Sequence, residues 1–130
     1  GKGGAWSVHP IEHVISAYYD ITHGVGLAVL TPAWMSYVLS DTTVPRFARF
    51  AREVFGVEEA DNRKAAELGI QRVREFNQSL GMPATLSEAG VPEDLFDEMA
   101  TEAVRTSGIA SRAYIKLEAP DVKQILISCR

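Results

Sequence analysis

Apolar residues recur at the spacing of an α-helix along most of this chain. The clearest example lies between Pro45 and Gly56, where they occupy positions i, i+3, i+4, i+7 and i+8 of one helix face. Proline is tolerated in the first turn of a helix, and glycine commonly follows the last. The pattern therefore predicts an amphipathic helix that buries one side. The apolar residues are Phe47, Phe50, Ala51, Val54 and Phe55.

Further helices are predicted on both sides of this one. The longest begins at Asp61 and runs to about Leu80, with Gly81 directly after it. Its apolar side is expected to contain Ala66, Ile70, Val73, Phe76 or Asn77, and Leu80. Short connections and a length of 130 residues suit one hydrophobic core. We expect one all-α domain over residues 1–130, with about six to seven helices.

Composition excludes several classes of function. A net charge of −4 and a pI near 5.3 argue against a nucleic-acid partner, which would require a basic face. No apolar run approaches the roughly 20 residues that span a bilayer, and the apolar stretch 27–39, which contains Pro32, is expected to be a buried helix. The single cysteine, Cys129, cannot form an internal disulfide, which suits a cytoplasmic location.

All three histidines of the protein lie within residues 6–35. His9 and His13 are four residues apart, so they share a face of the helix that Pro10 would begin. An unbroken helix from His9 to His23 would span roughly 21 Å, too far for both to contact one ion. The segment from Asp20 to Gly24 can turn the chain, which would place His23 near the start of a second helix.

Three interpretations of the histidines are open from the residues alone. They could cap helices or satisfy the core. Alternatively, the pattern His9-x-x-Glu12-His13 matches the zinc metallopeptidases, with two ligands and a general base on one helix. In the third interpretation His9 and His23 bind the metal and His13 does not. A non-catalytic helical docking module, which needs no metal, is a further alternative.

The same stretch resembles the metal-site segment of the iron-containing alcohol dehydrogenases, in particular their butanol-dehydrogenase-like branch. The resemblance rests on the histidine pair, on the D-x-x-H-G motif at 20–24, and on the segments 26–30 (Gly-Leu-Ala-Val-Leu) and 32–35 (Pro-Ala-Trp-Met). The remainder of the chain follows the family more loosely, including the closing helix after Pro120.

This resemblance implies a fold and a chemistry. The fold would be the C-terminal helical domain of the family, which is dehydroquinate-synthase-like. His9 and His23 would bind the catalytic metal, Fe²⁺ or alternatively Zn²⁺, and His13 would face the nicotinamide and substrate as a catalytic and cofactor-contacting residue. Glu12 would be a helix-surface acid. The reaction would be hydride transfer between NAD or NADP and a primary alcohol such as butanol, or its aldehyde.

The resembled family carries a nucleotide-binding α/β domain before this segment. That domain holds its other two metal ligands, an aspartate and a histidine, and no equivalent is visible in this sequence. We therefore expect the chain to be the C-terminal part of a longer enzyme, with the N-terminal domain as its partner. The fragment alone should be inactive, and the full-length enzyme should be a homodimer.

Overall fold

The computed structural model describes the backbone of residues 8–107 and 117–130, and their side chains except those of residues 8–10, 23, 106 and 107. Within these residues the regular structure is entirely helical, which confirms the predicted all-α fold. One short 3₁₀ turn, Glu93–Leu95, precedes α5. The helices are α1 Val8–Tyr18, α2 His23–Val38, α3 Val44–Phe55, α4 Asn62–Ser79, α5 Phe96–Ser107 and α6 Ala119–Ser128.

The helix ends follow the predicted signals at most positions. Asp61 caps α4, since its Oδ2 accepts the backbone N–H of Lys64 at 3.3 Å. Gly56 ends α3 with φ +66°, a left-handed conformation that favours glycine. Thr43 stands before α3 as predicted but makes no side-chain cap bond. Its buried hydroxyl instead donates to the carbonyl of Val38 at 2.8 Å, which fixes the turn between α2 and α3.

Helix α2 lies at the centre of the core, in contact with α1, α4 and α6. Three of its side chains, Leu30, Trp34 and Met35, are completely buried. The Trp34 ring meets Phe47 of α3 edge-to-face, with ring centroids 5.9 Å apart at 68°. The prediction that the apolar stretch 27–39 is a buried helix is confirmed over its helical part.

Pro32 lies inside α2, where a proline removes one helical hydrogen bond. The carbonyl affected is that of Ala28, four residues earlier, because Pro32 has no N–H to donate. Asn77 of α4 supplies the donor: its Nδ2 bonds the Ala28 carbonyl oxygen at 2.8 Å. A side chain from a neighbouring helix therefore replaces the bond that the proline cannot make.

The predicted apolar sides of α3 and α4 are partly wrong at their C-terminal ends. Phe76 and Leu80 are 56% and 58% exposed, and Val54 is 60% exposed. The buried residues of α4 all lie in its first half: they are Ala65, Ala66, Gly69 and Ile70. At the inner position of the second half stands Asn77, whose amide bonds α2. Helical period predicts which residues share a face but not how far the neighbouring helix extends along it.

Helices α3 and α4 approach closely at Gly69. A Cβ atom added there would lie 2.6 Å from the Cβ of Ala51, too close for an unshifted contact. No helix among the described residues is both long and apolar enough to cross a membrane.

Candidate metal centre

The first and third histidines lie near the starts of two packed helices. His9 belongs to the first turn of α1, and His23 is the first residue of α2. The predicted break between them is present, and α2 packs against α1. Thr22 caps α2, with Oγ1 accepting the N–H of Val25 at 3.3 Å. The side chains of His9 and His23 lie outside the described part, so a shared ion stays a prediction.

Glu12 is completely buried where α1 meets α2. Its Oε2 accepts a hydrogen bond of 2.5 Å from the Ser16 hydroxyl, one turn further along α1. The same hydroxyl lies 3.2 Å from the carbonyl oxygen of Ile21 in the connection to α2. The prediction that Glu12 is a helix-surface acid is therefore wrong. The reason is steric, because the facing residue of α2 leaves space for a carboxylate.

That facing residue is Gly26. A Cβ atom at Gly26 would fall 2.5 Å from Cγ and 2.6 Å from Cδ of Glu12, and would also collide with Oε2. Real Cβ atoms do not approach this closely, so Glu12 can keep this position only while residue 26 is glycine. The sequence signal for this contact is the glycine itself, which costs about 1 kcal/mol inside a helix relative to alanine. It gave no indication that the opposing group would be Glu12.

His13 follows Glu12 in α1 and has an exposed side chain. One residue corresponds to about 100° around a helix, so His13 is turned away from the Glu12–Gly26 contact. It is accessible to a ligand or a neighbouring domain, as the predicted substrate-facing role requires. Among the described side chains, no group of three or more His, Cys, Asp and Glu residues is placed to hold a metal.

The metallopeptidase alternative requires Glu12 as the general base. Such a base must reach the proton that it abstracts, directly or through one water. The Glu12 carboxylate is instead enclosed between Ser16 and Gly26, with no exposed surface. This geometry argues against the peptidase interpretation of His9-x-x-Glu12-His13.

The aromatic residues near the histidines divide between core and surface. Trp34 is completely buried and belongs to the core, whereas Tyr18 is 38% exposed and Tyr19 is half-buried. Trp6 lies outside the described residues. The tryptophan of α2 is therefore a packing residue and not a pocket wall.

A cavity of about 310 Å³ lies away from His13, between α2, α4, residues 82–85 and the end of α6. The Cys129 thiol lines it. Burial raises the pKa of Cys129 to about 12, so this thiol stays protonated at neutral pH and is a poor nucleophile. The cavity therefore contains no activated thiol.

The donor chemistry of the histidine segment fits a divalent transition metal. Neutral imidazoles bind Fe²⁺ and Zn²⁺ alike. The two helices that carry the histidines touch at Glu12 and Gly26. Each of these contact residues lies three positions after the histidine of its own helix. Two imidazoles are an incomplete set, because a catalytic centre takes three or more protein ligands. The segment therefore fits a metal whose further ligands come from elsewhere.

Known proteins resemble this chain along almost its whole length. NADH-dependent butanol dehydrogenase A of Clostridium acetobutylicum is 46% identical over 126 residues, which are 96% of this chain and 32% of that protein. The probable NADH-dependent butanol dehydrogenase 1 of Bacillus subtilis is 38% identical, with 97% of this chain and 32% of that protein covered. The chain thus spans about a third of the length of these relatives.

A crystal structure shows the same fold. NADH-dependent butanol dehydrogenase A from Thermotoga maritima superimposes with a TM-score of 0.85 at 36% identity, covering 98% of this chain and 33% of that one. A family model described as Fe-containing alcohol dehydrogenase family, C-terminal, matches residues 1–129. The chain therefore belongs to the Fe-containing alcohol dehydrogenase family, whose C-terminal part it matches.

Proposed function

We propose that this chain supplies part of the metal site of an NADH-dependent enzyme that interconverts a primary alcohol, such as butanol, and its aldehyde. The observation that carries the proposal is the match to the C-terminal part of the family over residues 1–129, which includes all three histidines. The relatives described above are named NADH-dependent butanol dehydrogenases. Their names favour NADH over NADPH and a butanol-sized substrate.

The proposed metal ligands within this chain are His9 and His23. Fe²⁺ is the proposed ion, with Zn²⁺ as the alternative. When bound, the metal would polarise the oxygen of the alcohol or aldehyde. The remaining ligands and the nucleotide site are assigned to an N-terminal domain of a longer protein, because the relatives are about three times as long as this chain. Residues 1–130 alone are then expected to be inactive.

His13 is proposed to contact the substrate and nicotinamide and to move the alcohol proton. Its exposed position on α1, four residues after His9, is compatible with this role. An imidazole can take up and release a proton near neutral pH, as such a step requires. A third ligand at this point would crowd the open position that the substrate needs.

We expect His13→Ala in the full-length enzyme to keep its bound metal and lose turnover. General acid–base groups contribute about 10²- to 10⁴-fold to a rate, and the loss should fall within that range. The pH dependence of kcat should change as well, because one titrating group leaves the proton path. Metal analysis and steady-state rates on the same preparation measure both effects. If His13→Ala instead no longer contains the metal, His13 is a ligand.

The proposed function is tested on the full-length enzyme after removal of its metal with a chelator. The metal-free protein should not oxidise NADH with butanal, and activity should return when Fe²⁺ or Zn²⁺ is added. The control is a preparation that passes through the same steps without the chelator. Failure to oxidise NADH with butanal or other primary aldehydes, in the presence of either ion, would contradict the proposal.

A further inference from the structure

The buried carboxylate of Glu12 has no role in the reaction described above. Burying a charged or polar group costs free energy unless it is hydrogen-bonded. Glutamate is rarely found completely buried unless it is paired. Glu12 nevertheless lies completely buried between α1 and α2 and accepts the Ser16 hydroxyl at 2.5 Å. The position of this side chain between the two histidine-bearing helices therefore points to a role beyond filling space.

The location of this contact suggests what the role is. Glu12 lies three residues after His9 in α1, and Gly26 lies three residues after His23 in α2. Each histidine is thus about one turn, or roughly 4.5 Å along the helix axis, from the point where the helices touch. A change in the separation of α1 and α2 at Glu12 and Gly26 would therefore also change the separation of the two histidine backbones.

Ser16 extends the contact into the connection between the helices. Its hydroxyl donates to Glu12 and lies 3.2 Å from the carbonyl oxygen of Ile21, two residues before His23. The carboxylate therefore contacts α2 at Gly26. Through the Ser16 hydroxyl it is also linked to the segment that leads into α2.

We propose that Glu12, seated against Gly26 and bonded by Ser16, is a positioning residue that fixes the spacing of His9 and His23 as metal ligands. The proposal rests on the proposed function, because it assigns those histidines to one ion. Glu12 itself is not a ligand or a proton carrier in this scheme. It acts through the packing of α1 on α2.

The first test compares two glycine substitutions in the full-length enzyme. Gly26→Ala places a Cβ atom on the Glu12 side chain, which must then leave its position or push α1 from α2, whereas Gly69→Ala places a Cβ atom 2.6 Å from the Cβ of Ala51 in the α3–α4 contact. Both should lower the midpoint of thermal unfolding, because both overpack a helix contact. Only Gly26→Ala should weaken binding of Zn²⁺, measured by competition with a chromogenic chelator. The expected loss is about 10- to 100-fold, as for other residues that orient metal ligands.

A second pair of variants tests the proposal independently if Gly26→Ala does not fold. Glu12→Ala removes the side chain that spaces the helices and should weaken Zn²⁺ binding in the same range. Glu12→Gln keeps the volume and an oxygen that can accept the Ser16 hydroxyl, so it should restore Zn²⁺ affinity close to that of the unaltered enzyme. Rescue by glutamine distinguishes positioning by shape from a requirement for charge.

The outcomes separate this proposal from the function on which it rests. If the unaltered enzyme binds Zn²⁺ and reduces butanal, but Gly26→Ala and Gly69→Ala bind Zn²⁺ equally well, the positioning role is wrong and the function stands. Equal loss in Glu12→Ala and Glu12→Gln also overturns positioning by shape. If the unaltered enzyme neither binds Zn²⁺ nor reduces butanal, the function and the positioning role fail together.

Discussion

Replacing His23 with alanine in the full-length enzyme should remove the bound ion and lower butanal reduction by more than about 100-fold. That value is the upper end of the effect expected from losing a residue that merely orients a ligand. Loss of a ligand itself should exceed it, since the ion that polarises the carbonyl oxygen is no longer held. Metal content by atomic emission and NADH oxidation with butanal measure the two effects.

Thr22→Ala is the matched control for His23→Ala. Thr22 caps the same helix end through Val25, and loss of such a cap costs about 1 kcal/mol. The control therefore disturbs the start of α2 without removing an imidazole. It should lower the midpoint of thermal unfolding and retain metal and turnover. Full metal content in His23→Ala would show that this residue is not a ligand and would favour His9 and His13 as the ligand pair instead.

Trp34→Ala should be the most destabilising single substitution among those considered for this domain. The side chain is completely buried and packs edge-to-face on Phe47, in the helix that contacts α1, α4 and α6. Truncation of a buried aromatic to alanine costs about 3–5 kcal/mol, through lost burial and the cavity that remains. Urea denaturation of the full-length enzyme, followed by helical circular dichroism, measures the change.

Phe76→Ala is the comparison for this measurement. It also truncates an aromatic side chain to alanine, but Phe76 is 56% exposed. Substitutions at exposed positions usually change the free energy of unfolding by about 0.5 kcal/mol or less. If Phe76→Ala costs as much as Trp34→Ala, the assignment of α2 as the centre of the core would be wrong.

The helices themselves could be predicted because their signals are local. Asp61 and Gly56 mark helix ends through their own backbone and side-chain chemistry, and both were identified correctly. The apolar period around Phe47 likewise depends only on neighbours in the sequence. The extent of burial does not, and of the two candidates Phe76 and Asn77 for the inner position of α4 it is Phe76 that is exposed. Burial depends on where the adjacent helix stops, which no local pattern encodes.

The candidate site divides in the same way. The histidine spacing and the turn after Asp20 predicted two helices with His9 and His23 near their starts, and the structure has them there. The burial of Glu12 could not be predicted, because a glutamate in an amphipathic helix is ordinarily exposed. Its position results from the missing side chain of Gly26 on another helix. Contacts between distant residues of this kind become visible only when the helices are packed.

Pro32 and Asn77 should change together when this domain diverges. The amide of Asn77 supplies the donor that position 32 lacks, so a substitution of Pro32 by a non-proline residue should restore the bond within α2 and relax the constraint on position 77. Among aligned homologues, an amide or another donor at 77 should therefore accompany proline at 32, and other residues should become frequent at 77 when 32 is not proline. The N–H that Pro32 lacks therefore links the choice of residue in α2 to the choice of residue in α4.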